Sequence, residues 1–245
     1  MTLSVTTLFA GIVSRDPGWP EVAFSAINVG RTSPFTLASI SLGSDSHVSQ
    51  LVRQTSRMSI RFARPTASHL RALADAASTD SLTYEPVGIT ERPTAPAGYR
   101  LDRWSLVLGR GDTVFERACA ALRTWSVHTG AGLVVEAAGP PTLGSVVAMA
   151  APLPVGWIEV VCRVVATVDL PDRFGFTYGT LSVHPDQGEE SFTVVRHTDG
   201  TTTFDIVAVS RPRQLLARAV PPVARRLQRA ATRRYYEAMQ SSIGA

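Results

Sequence analysis

The sequence has no lysine and a single asparagine, Asn28, so all 24 of its basic side chains are arginines. Alongside abundant Ala, Val, Gly and Pro, these absences read as codon bias in a GC-rich genome, not as selection of guanidinium groups for phosphate. Arginine stays protonated at any useful pH, so the net charge of +4 carries little information about titration near neutrality. Cysteine is scarce too, with only Cys119 and Cys162. There is no CxxC pair and no Cys/His cluster at zinc spacing, so neither a metal nor a cofactor is expected. Both cysteines fall on apolar faces and read as small buried hydrophobes; a bond between them stays open, but nothing requires an oxidising compartment. The GxSxG nucleophile turn and the phosphate-binding P-loop are missing. The N-terminus lacks the basic start and long apolar core of a secretory signal. The most apolar stretch, Leu143 to Val168, is interrupted by Pro152, Pro154 and Gly156 and carries Glu159 and Arg163, which argues against a membrane span. A cytoplasmic location is the expectation that follows.

What is present suffices for a core: 44% of the 245 residues are hydrophobic. The chain divides unevenly. Residues 1–57 are dense in Ser and Thr, sparse in charge and without a sustained period. Residues 58–245 read as a single α+β domain. This contrast leads to the expectation that the domain opens at Met58 and that 1–57 is a poorly structured leader or an upstream misreading. Arg15 and Arg31 are too few for an organelle transit peptide.

From Met58 on, a helix is predicted from about Thr66 to Ala77, and Leu82 to Gly88 is an extended piece ending in a turn. Tyr99 to Leu108 reads as a strand with Trp104, Leu106 and Leu108 on one face. A helix from Thr113 to about Ser126 follows, with Thr113-Val114-Phe115-Glu116 matching a capping box and Phe115, Ala118, Cys119, Leu122 and Trp125 sharing one face. Six strand-like segments come next: Leu133–Ala137, Ser145–Ala150, Trp157–Val168, Phe174–Leu181, Glu190–His197 and Thr202–Ser210. In the third, Ile158, Val160, Cys162, Val164, Ala166 and Val168 alternate with Glu159, Arg163 and Thr167, as in a sheet with one face deeply buried. Asp199-Gly200 marks a hairpin between the last two. The chain closes with a helix interrupted at Pro221-Pro222 and running from about Val223 to Gln240, its apolar stripe being Val223, Leu227, Ala231, Tyr235 and Ala238. Short links between strands imply an antiparallel meander of six to seven strands wrapped on that final helix, an order that resembles the helix-grip architecture of START-like proteins.

Several stretches, taken in order, resemble the family known as domain of unknown function 1990. They are Leu82-Thr83-Tyr84-Glu85-Pro86-Val87-Gly88; Leu108-Gly109-Arg110-Gly111 with Phe115-Glu116-Arg117-Ala118 and Trp125; and Phe174-Gly175-Phe176-Thr177-Tyr178-Gly179-Thr180-Leu181 leading to His184-Pro185 and Gly188-Glu189-Glu190-Ser191-Phe192. Ser210-Arg211-Pro212 and the helix from Gln228 to Tyr235 complete the set. The resemblance covers about Met58 to Gln240. It implies a fold and boundaries, and no reaction.

The densest polar group is a loop from Ser182 to Glu190, which sets His184, Asp186, Glu189 and Glu190 beside Tyr178. A histidine with nearby carboxylates can do acid–base work; a solvated hairpin whose acids cap backbone amides accounts for the same residues. Phe174, Phe176 and Tyr178 share a strand face and either line a cavity or fill the core. Gly109-Arg110-Gly111 offers amides to an anion at a helix start, or is a plain turn. Three readings follow. The first is a small-molecule-binding module holding an apolar or amphipathic ligand between sheet and last helix, with Tyr178, His184, Glu189 and Glu190 as ligand-cavity or functional-loop candidates. The second is an enzyme using His184 with Glu189 or Glu190. The third is a protein docking on an anionic membrane surface or nucleic acid through Arg225, Arg226, Arg229 and Arg233, which are equally explained as a solvated helix face.

Overall fold

Period-2 hydrophobic alternation dominates the second half of the chain, and there the computed structural model places a continuous antiparallel sheet. The described residues are 60–153, 156–213 and 221–244, with side chains of the last helix described from Arg229 onward. Residues 1–57, expected to be a leader or an upstream misreading, lie outside them. In chain order the elements are β1 (Ile60–Arg61), α1 (Ala67–Ala76), a single 3-10 turn (Ile89–Glu91), β2 (Arg100–Arg110), α2 (Asp112–Arg123), α3 (Ser126–Gly130), β3 (Val134–Ala137), β4 (Val146–Pro152), β5 (Trp157–Leu170), β6 (Arg173–Thr180), β7 (Asp186–Arg196), β8 (Thr201–Pro212) and α4 (Pro221–Gly244). Strands β3 to β8 form a meander, and β2 adds beside β8, giving the order β2-β8-β7-β6-β5-β4-β3 with β1 paired to β5. The β7–β8 turn is pinned by the Asp199 carboxylate, which accepts the Thr201 backbone N–H at 2.9 Å.

Two bulges bend the sheet, one in β2 between Val107 and Gly109 and one in β5 between Val164 and Ala166. The face toward α4 carries Trp104, Val164, Phe174, Phe176, Tyr178, Phe192, Val194, Phe204 and Ile206, packed with Tyr235, Ala238 and Met239 of the helix. A sheet curved around its C-terminal helix is the helix-grip arrangement. The two helices before β3 complete this layer. A Cβ on Gly130 of α3 would stand 2.8 Å from the Cβ of Ala238, so glycine lets α3 and α4 approach closely.

The opposite face is covered as well. Leu70 and Ala77 pack on Ala148, Ala150, Val161 and Leu181, while Tyr84 and Ile89 pack on Val209. The alternation in β5 therefore does not separate core from solvent. Glu159, on the outer face beneath α1, is 1% exposed and meets His69 Nε2 at 2.7 Å. Double coverage also explains the Phe-Gly-Phe-Thr-Tyr-Gly run of β6. Its aromatic residues point to the helix, and its small residues leave room for the segment crossing outside. A Cβ on Gly179 would lie 2.2 Å from the Tyr84 hydroxyl.

Several boundaries differ from the sequence reading. Helix α2 begins at Asp112 with Gly111 as its N-cap and no side-chain cap bond, so Thr113-Val114-Phe115-Glu116 is not a capping box here. The predicted continuous helix to Ser126 breaks at Trp125, which adopts a left-handed conformation (φ 59°) and places its indole N–H 2.9 Å from the Gly139 carbonyl. Strand β7 starts at Asp186, so only residues 182–185 remain of the Ser182–Glu190 loop. Helix α4 includes both prolines at its described start, where the first turn has no use for their missing N–H groups, and residues 214–220 before them lie outside the described residues. Along α4, Ala231 is exposed and Thr232 is buried in its place; Val223 and Leu227 lie outside the described side chains. Cys119 and Cys162 are both buried free thiols.

Candidate functional site

Consecutive residues of a strand point to opposite faces, and this rule separates the two acids at the start of β7. Glu189 points outward and is 2% exposed. One of its oxygens accepts from the Tyr84 hydroxyl at 2.8 Å and the Gly88 backbone N–H at 2.7 Å. The other accepts from the backbone N–H and hydroxyl of Thr90, both at 3.2 Å. Four donors saturate the carboxylate and tie the segment from Tyr84 to Thr90 to the sheet. Burial, then the hydrogen bond to Glu189, push the Tyr84 phenol well above its usual range.

Glu190 points inward, toward α4. It sits in a cross-strand row in which Asp102 of β2 is opposite Ala208 of β8, Ala208 is opposite Glu190, and Glu190 is opposite Tyr178 of β6. The Tyr178 hydroxyl donates to Glu190 Oε2 at 2.8 Å. This is the one hydrogen bond Glu190 makes among the described residues, and the side chain keeps partial access to solvent. Burial, reinforced by the charge of Asp186 and opposed by the Tyr178 bond, pushes the Glu190 carboxyl up to about 7. Tyr178 and Tyr235 are raised by burial and by the charge of Glu190.

Beside this pair lies His128 of α3, fully buried, with neither ring nitrogen hydrogen-bonded. Its ring centroid is 4.7 Å from that of Phe192, 5.1 Å from Trp125, 5.2 Å from Tyr235 and 6.0 Å from Tyr178. Burial pushes its pKa down to about 3, so the imidazole is neutral at physiological pH. The inner face thus holds a packed cluster of aromatic rings with a half-buried carboxylate at its edge and an unpaired imidazole within it.

Of the four candidates read from the sequence, Tyr178 and Glu190 come together, Glu189 lies on the far side of the sheet, and His184 belongs to the β6–β7 turn. His184 Nδ1 accepts the Asp186 backbone N–H at 3.0 Å, and burial brings its pKa down to about 4. Strand register puts Glu189 and Glu190 on opposite faces, so His184, whose Nδ1 is taken up within the turn, does not share one face with both acids. His128 escaped the sequence reading because it belongs to no motif. Its one signal is spacing, since Leu122, Trp125 and His128 extend the apolar stripe of α2 in steps of three.

Among the arginines read as a docking surface, Arg229 and Arg233 are exposed, with Arg233 Nε 3.5 Å from Glu237; the side chains of Arg225 and Arg226 lie outside the described residues. Gly109 and Arg110 are the last two residues of β2, and Gly111 alone links it to α2 as the N-cap. On the outer face, Leu82, Thr83, Tyr84, Glu85, Tyr99 and Arg211 line an open groove of about 480 Å³. No described helix is long and apolar enough to cross a membrane.

A family model described as "Domain of unknown function (DUF1990)" matches residues 83–238. A UPF0548 protein of Deinococcus radiodurans is 29% identical over 196 residues, covering 74% of this chain and 96% of its own. A second UPF0548 protein, from Dictyostelium discoideum, is 28% identical over 54% of this chain and 67% of its own. Solved structures with a similar course include Ara h 8.0201 (11% identical, TM-score 0.43, covering 60% of this chain and 98% of that one). A hypothetical protein from Helicobacter pylori is 7% identical with a TM-score of 0.46, covering 58% and 86%.

Proposed function

We propose, from the premise that this chain belongs to the DUF1990 family, that its domain binds a small amphipathic molecule between the sheet and α4, with the polar end of the ligand at Glu190. The observation that carries this reading is the contrast between two adjacent carboxylates. Glu189 has four donors and no spare capacity, as a structural carboxylate should. Glu190, set among aromatic rings, has one. Glu190 is half-buried with Tyr178 as its donor among the described residues, so it gives up part of its hydration without protein donors to replace it, and its carboxyl is raised accordingly. A ligand group that supplies the missing donors accounts for it. Tyr178 holds the carboxylate in position; the rings of Phe192, Tyr235 and Tyr178 are buried against one another, so the apolar part of the ligand enters only as α4 moves off the sheet.

The test is fluorescence titration with N-phenyl-1-naphthylamine, an uncharged dye that brightens in apolar sites. Saturable binding at one dye per chain, competed by lipophilic molecules, is expected. No saturable signal from protein shown to be folded by its near-UV circular dichroism would remove the reading.

A further inference from the structure

The outer face of the sheet carries an open groove, and we infer that this groove binds a small zwitterion: a molecule whose carboxylate is taken by Arg211 and whose ammonium group is taken by Glu85. The groove lies on the face opposite α4, and its assignment does not rest on the inner-face reading.

Strand register builds the place. Gln187 of β7 stands opposite Arg211 of β8, and Arg100 of β2 stands opposite Ser210, so Tyr99 at the entry to β2 comes opposite Arg211. The three side chains form a row across the outer face. Arg211 Nε donates to Gln187 Oε1 at 2.8 Å, and Gln187 Nε2 donates to the Thr83 carbonyl at 2.6 Å. The guanidinium also lies over the Tyr99 ring, 4.6 Å from its centroid. Two contacts from different parts of the chain thus hold the head group. Stacking uses the face of a guanidinium and leaves its N–H edge for a carboxylate. With Nε spent on Gln187, that edge is Nη1 and Nη2, and Nη1 stands 4.0 Å from where a Cβ on Gly98 would be. Gly98 belongs to a turn closed by the Tyr99 N–H to the Pro96 carbonyl at 3.0 Å. The groove that these residues line measures about 480 Å³, room for a small organic molecule, with apolar contact from Leu82, Pro96 and Tyr99.

The charge preference comes from what is left unpaired. Of the other polar side chains in the walls, the Thr83 hydroxyl is bonded to Thr180 and the Tyr84 hydroxyl to Glu189. Among the described residues the Nη edge of Arg211 has no acceptor, the Glu85 carboxylate has no donor, and the two do not pair with each other. Glu85 is exposed, but its backbone is pinned on either side: the Thr83 N–H donates to the Thr180 carbonyl at 3.0 Å, and Tyr84 and Gly88 are both bonded to Glu189. One groove therefore presents a guanidinium edge and a carboxylate at fixed points of the backbone. A simple anion meets Arg211 but is repelled by Glu85, and a simple cation meets the reverse. A ligand carrying both charges satisfies both with charge-assisted hydrogen bonds.

The experiment is an NMR titration of the full chain at pH 7 with ω-amino acids from glycine to 6-aminohexanoate, the series supplying the spacing between charges. Hexanoate and hexylamine are the single-charge controls. The Leu82 methyls and the Arg211 Nε–H report the groove. At least one amino acid should shift both saturably, with a Kd at least about tenfold below that of either control, since each charge-assisted contact contributes on that order. Glu85→Gln, at an exposed side chain that holds no described hydrogen bond, should bring the best amino acid and hexanoate to equal affinity. Arg211→Lys keeps the charge but lacks the planar fork, and should weaken the amino acid by about tenfold. The inference is overturned if no amino acid shifts Leu82, if hexanoate or hexylamine binds as tightly as the best amino acid, or if either substitution leaves that amino acid's affinity unchanged. None of these results bears on the inner face, which the dye titration reads separately.

Discussion

Replacing Glu190 with glutamine removes the charge at the inner face while preserving the shape and an oxygen to accept from Tyr178, so its effect on stability should depend on pH. In the folded chain the Glu190 carboxyl is raised from 4.5 to about 7, chiefly by burial. A carboxyl raised in this way favours the folded state fully only below its unfolded pKa. As pH rises, the unfolded chain ionises first, and the penalty accumulates until the folded group also ionises. The loss therefore spans 4.5 to about 7 and is complete above that window. At about 1.36 kcal/mol per pH unit it amounts to about 3 kcal/mol. Glu190→Gln escapes this loss. Relative to its difference from wild type in mild acid, the variant should gain about 3 kcal/mol by pH 8, or roughly 6–12 °C in Tm for a domain of this size. Urea unfolding followed by the fluorescence of buried Trp125 at a series of pH values measures the difference directly. Because only one side chain changes, titrating groups remote from Glu190 cancel, leaving Asp186, whose charge acts on Glu190, as the coupled neighbour. A stability difference flat across the window would refute the burial of a chargeable Glu190 among aromatic rings.

Three further outcomes follow from the packing. Glu189→Ala strips the acceptor from Tyr84, Gly88 and Thr90, and should cost about 3–5 kcal/mol in urea unfolding, with hydrogen-exchange protection lost around the Gly88 and Thr90 amides. His128→Phe removes a buried imidazole whose pKa is lowered to about 3. Such a group stabilises above its unfolded pKa of about 6.5 and is lost below it, so the variant should gain on wild type as pH falls from about 6.5 toward 3 in the same assay. Gly130→Ala sets two Cβ atoms 2.8 Å apart at the contact of α3 with α4, and a loss of about 1–3 kcal/mol is expected from overpacking, with thermal unfolding as the check.

The strands were legible wherever one alternation ran long enough to set both face and register. β5 and β8 are the clearest, and Asp199-Gly200 located the turn between β7 and β8. The helix break at Trp125 was not legible, because a tryptophan in a left-handed conformation runs against local preference and is held by tertiary contacts, among them its bond to Gly139. The separation of Glu189 from Glu190 was within reach of the period-2 rule, but beginning the strand at Glu190 left Glu189 in a loop with no face. The actual strand starts four residues earlier, at Asp186, in a polar stretch whose extended state comes from pairing with β8 and not from its own propensity. Coverage of the outer face was also hidden: Glu159 reads as a solvent-facing residue, and only the docking of α1 with His69 shows that it is buried.

Methyl NMR during a titration with N-phenyl-1-naphthylamine tests the binding face most directly. Ala208, Ala238 and Met239 report the surface between the sheet and α4, while Ile89 and Val209 report the outer face beneath the 82–91 segment. The expected result is saturable shifts confined to the inner set, with Ala208, the neighbour of Glu190 on β8, moving most. Shifts confined to Ile89 and Val209, or none at saturating probe, would contradict a ligand site between the sheet and its C-terminal helix.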